Sequence, residues 1–501
     1  MKTRISPHYS FADDRSARGS AAFGGEGAAE YVYEMPEGLT VRVRLTANPF
    51  GLHPDDLFRM AARINKKRSF LFVSRILGKH IPVDPHQSLL GGAALALLWQ
   101  RRRAEEGAGN DKSLSAPVQD TLACSLEEVC SALRGGGEEA RELYGRLKNR
   151  KLETETPTLF IAFAETATAL GHAMYDCFAG DTRFLHTTRE MLVGQEPVLR
   201  FEEEHSHATA HRCYAREASF FEGEDTVVLV DDEVTTGKTA LNIIRDLQGK
   251  HPRRHYVVAS LLDWRGVSDR ERFAELEAEL GITIETLSLI EGVIEVEGGP
   301  VERLPQPAPD RRESGGQQLI RHDLAPFFTH LAAVSADSAG RTSDCPYLEW
   351  TGRFGMHEAD NARLDRQVLE ASAYLAARRT GTRTLCMGTG EFMYVPMRIA
   401  AGMGEGVRYQ SSTRSPIHVR DEEGYAVRSG FPHVSPDDPG VAHFFYNVPA
   451  GEYDEIFVFL ERMPTEANLK PLLRALENTG VPVVHLAAAG AADRGIEGEG
   501  A

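Results

Sequence analysis

The fifteen residues Val227–Leu241, VVLVDDEVTTGKTAL, hold the most chemistry in the chain. The aliphatic run predicts a buried strand. Asp231 and Asp232 stand at its carboxyl end, and a loop, Thr235–Thr239, opens a helix. In open α/β sheets ligands bind beyond the carboxyl ends of strands. A loop entering a helix offers backbone N–H groups and the positive end of the dipole, which suits a phosphate. Gly237 lets the backbone turn and approach closely, and the hydroxyls of Thr235, Thr236 and Thr239 add donors. The two acids would repel a phosphate, so they face something else. Vicinal ribose hydroxyls suit paired acceptors, and a nearby Mg²⁺ would relieve the repulsion. A phosphate at one end and a diol at the other describe a ribose 5-phosphate. The competing Walker A reading also ends in Gly-Lys-Thr, but it needs a glycine where Asp232 stands.

Three upstream stretches add to this. The apolar run Pro157–Phe163 leads into Ala164–Gly171 (AETATALG), a loop small enough for its backbone to reach an anion, with Glu165, Thr166, Ala167 and Thr168 as candidates. Phe184–Glu190 (FLHTTRE) brings Arg189 to the end of a strand, where its fork suits a diphosphate. Phe201–His211 (FEEEHSHATAH) gathers three acids and three histidines, with His205 and His207 as candidate bases. A solvated acidic loop, a second cation site and an incomplete zinc site are its other readings. Farther upstream, Arg75, Lys79 and His80 form a basic cluster suited to a phosphate or to a helix C-terminus.

Together these stretches resemble type I phosphoribosyltransferases, whose signature for phosphoribosyl pyrophosphate (PRPP) is an apolar strand, two acids and a Thr/Gly loop. The resemblance implies that Asp231 and Asp232 hold the ribose 2′- and 3′-hydroxyls. It implies that Thr235, Thr236, Gly237, Lys238 and Thr239 hold the 5′-phosphate, and that Glu165–Thr168 and Arg189 hold pyrophosphate. The 201–211 segment falls where the family has a mobile closing loop, although Lys or Arg is commoner there among the orotate enzymes. With Thr413–Pro416, TRSP, in the second half, the chain resembles the orotate-phosphoribosyltransferase-like proteins found with tellurite-resistance (Ter) stress genes. That resemblance implies Mg²⁺-dependent phosphoribosyl transfer from PRPP to a small nitrogenous acceptor, in making a nucleoside-like metabolite. A homodimer is compatible with it. A PRPP- or nucleotide-binding regulator without turnover is the alternative.

The elements that must position these residues are legible in outline. The chain has 501 residues, 56 Lys+Arg and 73 Asp+Glu, for a formal charge of −17. That length predicts several domains, and that field disfavours general nucleic-acid binding. Residues 1–30 read as a flexible N-terminus without a secretory pattern, and 489–501 as a flexible tail. Leu89–Trp99 is too short to span a bilayer and reads as a buried helix. The six scattered cysteines read as reduced thiols of a cytoplasmic protein. Strands alternate with helices over 31–296, which predicts a parallel sheet flanked by helices, the type I phosphoribosyltransferase-like domain. Arg101–Pro117 and Gly135–Glu139 read as surface insertions. Residues 297–318, with four prolines and four glycines, read as a linker. A second α/β domain, the TRSP domain, occupies 319–488.

The halves invite comparison. Glu165 precedes Arg189 by 24 residues, and Gly390 precedes Arg414 by the same interval. Where the first half has its acid pair, the second reads Leu460–Glu461 before a loop and helix. The expectation is a degenerate copy of the first domain, to be abandoned if the second sheet has another strand order. Its Thr413, Arg414 and Ser415 would make an anion site of hydroxyls and a guanidinium.

Overall fold

The computed structural model describes residues 29–63, 68–107, 124–202, 210–223, 225–299 and 316–490. Short aliphatic runs form the strands of the first half and amphipathic stretches its helices. In chain order these are β1 (Glu30–Glu34), β2 (Thr40–Ala47), β3 (Phe58–Ala62), β4 (Phe70–Ser74), α1 (Pro85–Gly107), β5 (Thr158–Ala162), α2 (Thr168–Tyr175) and β6 (Thr182–His186). There follow β7 (Leu199–Glu202), β8 (Ala210–Cys213), β9 (Thr226–Val234), α3 (Lys238–Lys250), β10 (His255–Asp263), α4 (Val267–Leu280) and β11 (Thr283–Glu297). The second half contains β12 (Gln318–Asp323), β13 (Met356–His357), α5 (Glu358–Ala376), β14 (Thr384–Gly388), α6 (Tyr394–Gly402) and β15 (Val407–Ser411). It ends with β16 (Gly430–Val434), β17 (Ala442–Tyr446), β18 (Glu455–Leu460), α7 (Glu466–Glu477) and β19 (Val483–Ala488).

The first sheet runs β1-β2-β11-β10-β9-β5-β6-β13, with β11 through β6 parallel. The second runs β12-β19-β18-β14-β15, parallel throughout. The parallel strands therefore share one order: β5 lies between β6 and β9 as β14 lies between β15 and β18. Each half also inserts an antiparallel hairpin between its second and third strands, β7/β8 in one and β16/β17 in the other. Among the parallel strands only the outer edge differs. β11 follows β10 along the chain, whereas β12 precedes the rest of its sheet. The strand order expected of a degenerate copy is the one found.

The halves interlock rather than hang from a linker. β13, from the second half, pairs antiparallel with β6 of the first, Met356 facing Phe184. Val83 of the first half bridges Tyr409 of β15 in return. Both crossings need a glycine. A Cβ on Gly352 (φ +93°) would stand 2.3 Å from the Phe184 ring, and one on Gly78 (φ +67°) 2.8 Å from the Tyr409 ring. One apolar core runs through both halves, from Trp99 and Phe160 to Leu364, Met397 and Phe457. His172 of α2 stacks on Tyr394 of α6 with ring centres 3.7 Å apart.

Several sequence expectations need correction. Arg101–Gly107 continues α1, with Arg102 donating to the Thr286 carbonyl and Arg103 lying over the Trp99 ring, and 108–117 lies outside the described residues. Gly135–Glu139 is no insertion but the joint between helices Leu126–Gly135 and Gly137–Asn149. β9 runs on to Val234, so the acids belong to the strand itself, held by pairing with β10. Most of the expected flexible ends and linker lies outside the described residues. Leu89–Trp99 is a buried helix segment as expected, and all six cysteines are buried and unbridged. Among the described residues no helix is long and apolar enough to cross a membrane.

Gly352→Ala should test the interlock. Forcing a methyl against Phe184 at positive φ should cost about 1–3 kcal/mol, or ~2–4 °C in melting temperature per kcal/mol. Thermal melts showing no loss would mean that this crossing yields easily.

Candidate functional site

β9 is the axis of the site. Its aliphatic residues Val227–Val230 are fully buried between α-helical layers, and Asp231, Asp232 and Glu233 emerge half-buried at its carboxyl end. The hairpin β3/β4 leans over this edge. Phe72 stacks on Trp264 at 4.9 Å, and Arg68 reaches from the hairpin to Glu233. Asp231 Oδ1 accepts the N–H of Asp232 at 2.9 Å. Burial, reinforced by Glu233, raises the Asp232 carboxyl to about 6.

The loop after β9 is shaped for close approach. Gly237 has φ +71°, and a Cβ there would meet the Phe273 ring at 2.4 Å. Phe273 is itself held under Arg265, 4.2 Å from its ring centre, and Arg265 forks onto Asp263 at the end of β10. Gly237 is the N-cap of α3 and carries no capping side chain. Thr235, Thr236, Lys238 and Thr239 lie around this turn, half-buried, and Thr236 Oγ1 accepts the Lys238 N–H at 3.4 Å.

The loop after β5 adjoins this edge, tied to it by the Phe163 N–H donating to Val230 O at 3.0 Å. Its side chains turn toward the second half. Glu165 is buried, with Oε2 3.3 Å from Lys79 Nζ and accepting the Arg414 N–H at 3.3 Å. Burial alone would raise its carboxyl. Lys79, His443 and Arg414 instead hold it well below the usual range. Thr168 Oγ1 donates to the carbonyls of Glu165 and Glu391. Ala167 is buried at the N-cap of α2, and Thr166 is half-buried beside it.

Arg189 follows β6, and its N–H donates to Glu391 Oε1 at 2.7 Å. Its carbonyl accepts from Arg212 of β8 at 3.0 Å. Glu391 also accepts from Thr188 Oγ1 (2.6 Å) and from the fully buried Arg353 (2.8 Å). Arg353 in turn bonds Glu461 at 2.9 Å and lies 3.3 Å from Glu190. Despite burial, these partners hold the Glu391 carboxyl at about 2. The contacts form a reciprocal pair: the loop carboxylate of each half takes the N–H of the other half's strand-end arginine. The matching bonds Ala164 N–H to Thr187 Oγ1 and Gly390 N–H to Ser412 Oγ set Glu165 opposite Glu391, not Gly390 as spacing alone suggested.

Glu165, Arg189, Arg212, Arg353, Arg414 and Arg462 line a cleft of about 240 Å³ between the halves, together with several acids. Thr413 and Ser415 are not part of its wall. Thr413 Oγ1 accepts the Ser415 N–H, and the Ser415 carbonyl accepts from Tyr446. Of the basic cluster, Lys79 and His80 are buried near Glu165, while Arg75 donates to the Asp55 carbonyl away from this edge. His205 and His207 lie outside the described residues. Sequence reading missed His211, Arg212, Arg353 and His443. The Ala-His pair at 210–211 and again at 442–443, aligned through the duplication, would have indicated the two histidines.

Residues 57–293 match the phosphoribosyl transferase family model, and 350–476 match that of the TRSP domain found C-terminal to it. The first half is therefore similar to phosphoribosyl transferases and the second to the TRSP domain found C-terminal to them. Among curated proteins it has no match. Solved structures similar to it include adenine phosphoribosyl transferase from Trypanosoma brucei in complex with AMP, pyrophosphate and ribose-5-phosphate (18% identity, 32% of this chain and 68% of that one, TM-score 0.22). Adenine phosphoribosyltransferase from Rhodothermus marinus is 19% identical over 30% of this chain and 80% of its own, with TM-score 0.20. Orotate phosphoribosyltransferase from Mycobacterium tuberculosis, in complex with inorganic phosphate, is 15% identical over 32% and 75%, with TM-score 0.17.

Two expectations follow for the phosphoribosyltransferase-like half and its TRSP partner. A raised acid binds its proton more tightly folded than unfolded, so Asp232 takes stability away as pH rises from about 4 to about 6. Asp232→Asn should therefore melt higher than wild type at pH 7.5, by ~2–4 °C for each kcal/mol relieved, with the gap closing by pH 4. Calorimetry at both pH values checks the sign. Arg353→Met should cost about 3–5 kcal/mol in urea unfolding, because Glu391 and Glu461 would stay buried without their cation.

Proposed function

We propose that the protein is a phosphoribosyltransferase that transfers the 5-phosphoribosyl group of PRPP to a nitrogen of a small base-like acceptor and releases pyrophosphate. The observation that carries this reading is the end of β9, where the acid pair, its Asp232 carboxyl raised by burial, adjoins a glycine-shaped cradle at a helix start. In this reading Asp231 and Asp232 accept from the ribose 2′- and 3′-hydroxyls, and the Thr235–Thr239 turn holds the 5′-phosphate. Arg189 and the loop at Glu165–Thr168 hold the pyrophosphate end, the loop through its backbone because its Glu165 and Thr168 side chains are committed to the TRSP half. The acceptor nitrogen bonds to the anomeric carbon as the carbon–oxygen bond to pyrophosphate breaks, and pyrophosphate leaves with the electron pair. Catalysis is then chiefly positioning and stabilisation of developing charge.

The residues present fit Mg²⁺. Asp231 and Asp232 supply hard oxygen donors, while the described residues gather no set of three ligands around one point. The ion would enter with PRPP and supply charge neutralisation of its phosphates. A cytoplasmic setting and a nucleoside-like product connected with Ter stress genes belong to the same proposal.

Incubating the protein with PRPP, Mg²⁺ and a panel of nitrogenous bases should release pyrophosphate. The Asp231→Asn/Asp232→Asn chain should remain folded and bind PRPP about tenfold or more weakly by calorimetry. Lys238→Ala should be mild, since the cradle rests on backbone and hydroxyl donors. ATP binding abolished by Lys238→Ala would install the Walker reading instead. PRPP bound tightly but never turned over with any base would make the protein a binding module.

A further inference from the structure

The duplication leaves a second strand-end arginine with its own surroundings. Arg414 lines the interdomain cleft. Among the described residues only its backbone N–H is hydrogen-bonded, and its guanidinium lies no nearer a carboxylate than Glu165, at 3.9 Å from Nε. Glu165 does not cancel that charge, because the fully buried Lys79 sits 3.3 Å from its other oxygen. Beside Arg414 stands His443, 3% exposed, whose Nε2 is buried without a hydrogen-bond partner. Its Nδ1 is 3.2 Å from Ser412 Oγ, and that oxygen already accepts the Gly390 N–H at 3.1 Å. The Ser412 proton is thus available to Nδ1, which puts the ring N–H on Nε2. Burial keeps this ring neutral, with its pKa lowered to about 3.

The same device exists in the first half. Thr187 Oγ1 accepts the Ala164 N–H and lies 2.9 Å from His211 Nδ1, beside Arg189. Where that half has its acid pair, the second has Leu460 and Glu461, and Glu461 is bonded to Arg353. The second site therefore lacks the means to grip a ribose diol but keeps a guanidinium fork and an oriented imidazole N–H.

We infer that Arg414 and His443 form a second oxoanion site, for phosphate or pyrophosphate, in the cleft between the halves and separate from the Thr235–Thr239 cradle. The site is composite, since Glu165 of the first half walls it. It does not rest on the PRPP assignment. An anion with a protonated oxygen would accept from Arg414 and His443 and donate to the unpartnered Glu165 Oε1.

The test is binding of inorganic phosphate and of pyrophosphate to the full chain by calorimetry, in wild type, Arg414→Gln, Arg414→Lys and Asp231→Asn/Asp232→Asn. The expected result is a site that survives in the acid-pair variant and weakens about tenfold or more in Arg414→Gln. Arg414→Lys, which keeps the charge but loses the fork, should fall between them. It also serves if the Gln variant fails to fold. Preference for one anion over the other tells which is the natural ligand. The inference is overturned if wild type binds neither anion, if Arg414→Gln and Arg414→Lys bind as wild type does, or if the acid-pair variant loses all anion binding. Failure of PRPP binding with anion binding intact would sink the proposed transferase reading alone.

Discussion

Two buried carboxylates, each accepting a backbone N–H from the opposite half of the chain, tie the two halves of this structure together. Glu391 takes the Arg189 N–H and Glu165 takes the Arg414 N–H. Each also has a buried cation, Arg353 for one and Lys79 for the other. Burying a carboxylate is costly unless it is paired and hydrogen-bonded, so pulling the halves apart would leave each beside the cation of its own half but without the N–H that the other half supplies. The shared apolar core and the two crossing segments follow the same logic, as they would in an isologous dimer with its two subunits joined.

This constraint bears directly on the site. The loop after β5 is fixed on one side by the strand end of β9 and on the other by the TRSP half. Its geometry is therefore a property of the whole chain. Two sheets of one strand order then make different use of their carboxyl edges. β9 ends on the acid pair Asp231 and Asp232, the second with its carboxyl raised by burial, beside the Gly237 turn. At the matching place of β18, Glu461 is bonded to Arg353, which also reaches Glu190 of the first half, although burial raises the Glu461 carboxyl as well.

Much of the fold was legible because its causes are local. Aliphatic runs such as Val227–Val230 and Ile456–Phe459 form strands wherever both faces are covered, and their spacing with helical stretches dictates a parallel sheet. The acid pair and the glycine turn were legible for the same reason, since strand, carboxylates, loop and helix start are contiguous residues. Boundaries were less secure. β9 extended through its acids because pairing with β10 continues to Val234, which no local pattern announces.

The sequence by itself determined the two α/β units, the acid pair with its Thr/Gly turn and the presence of a second strand-end arginine. Tertiary structure alone decided their partners. Arg414 meets Glu165 across 249 residues of chain, and Lys79 meets Gly390 across 311. The one-residue register that sets Glu165 opposite Glu391 comes from side-chain bonds of Thr187 and Ser412, not from spacing. Thr413, an equal candidate beside Arg414 in sequence, is buried where its backbone bridges Phe444, and Ser415 is bonded through its backbone N–H and carbonyl. Local propensity is written in neighbouring residues. Which buried charge finds which counter-charge is settled only when the two sheets close on each other.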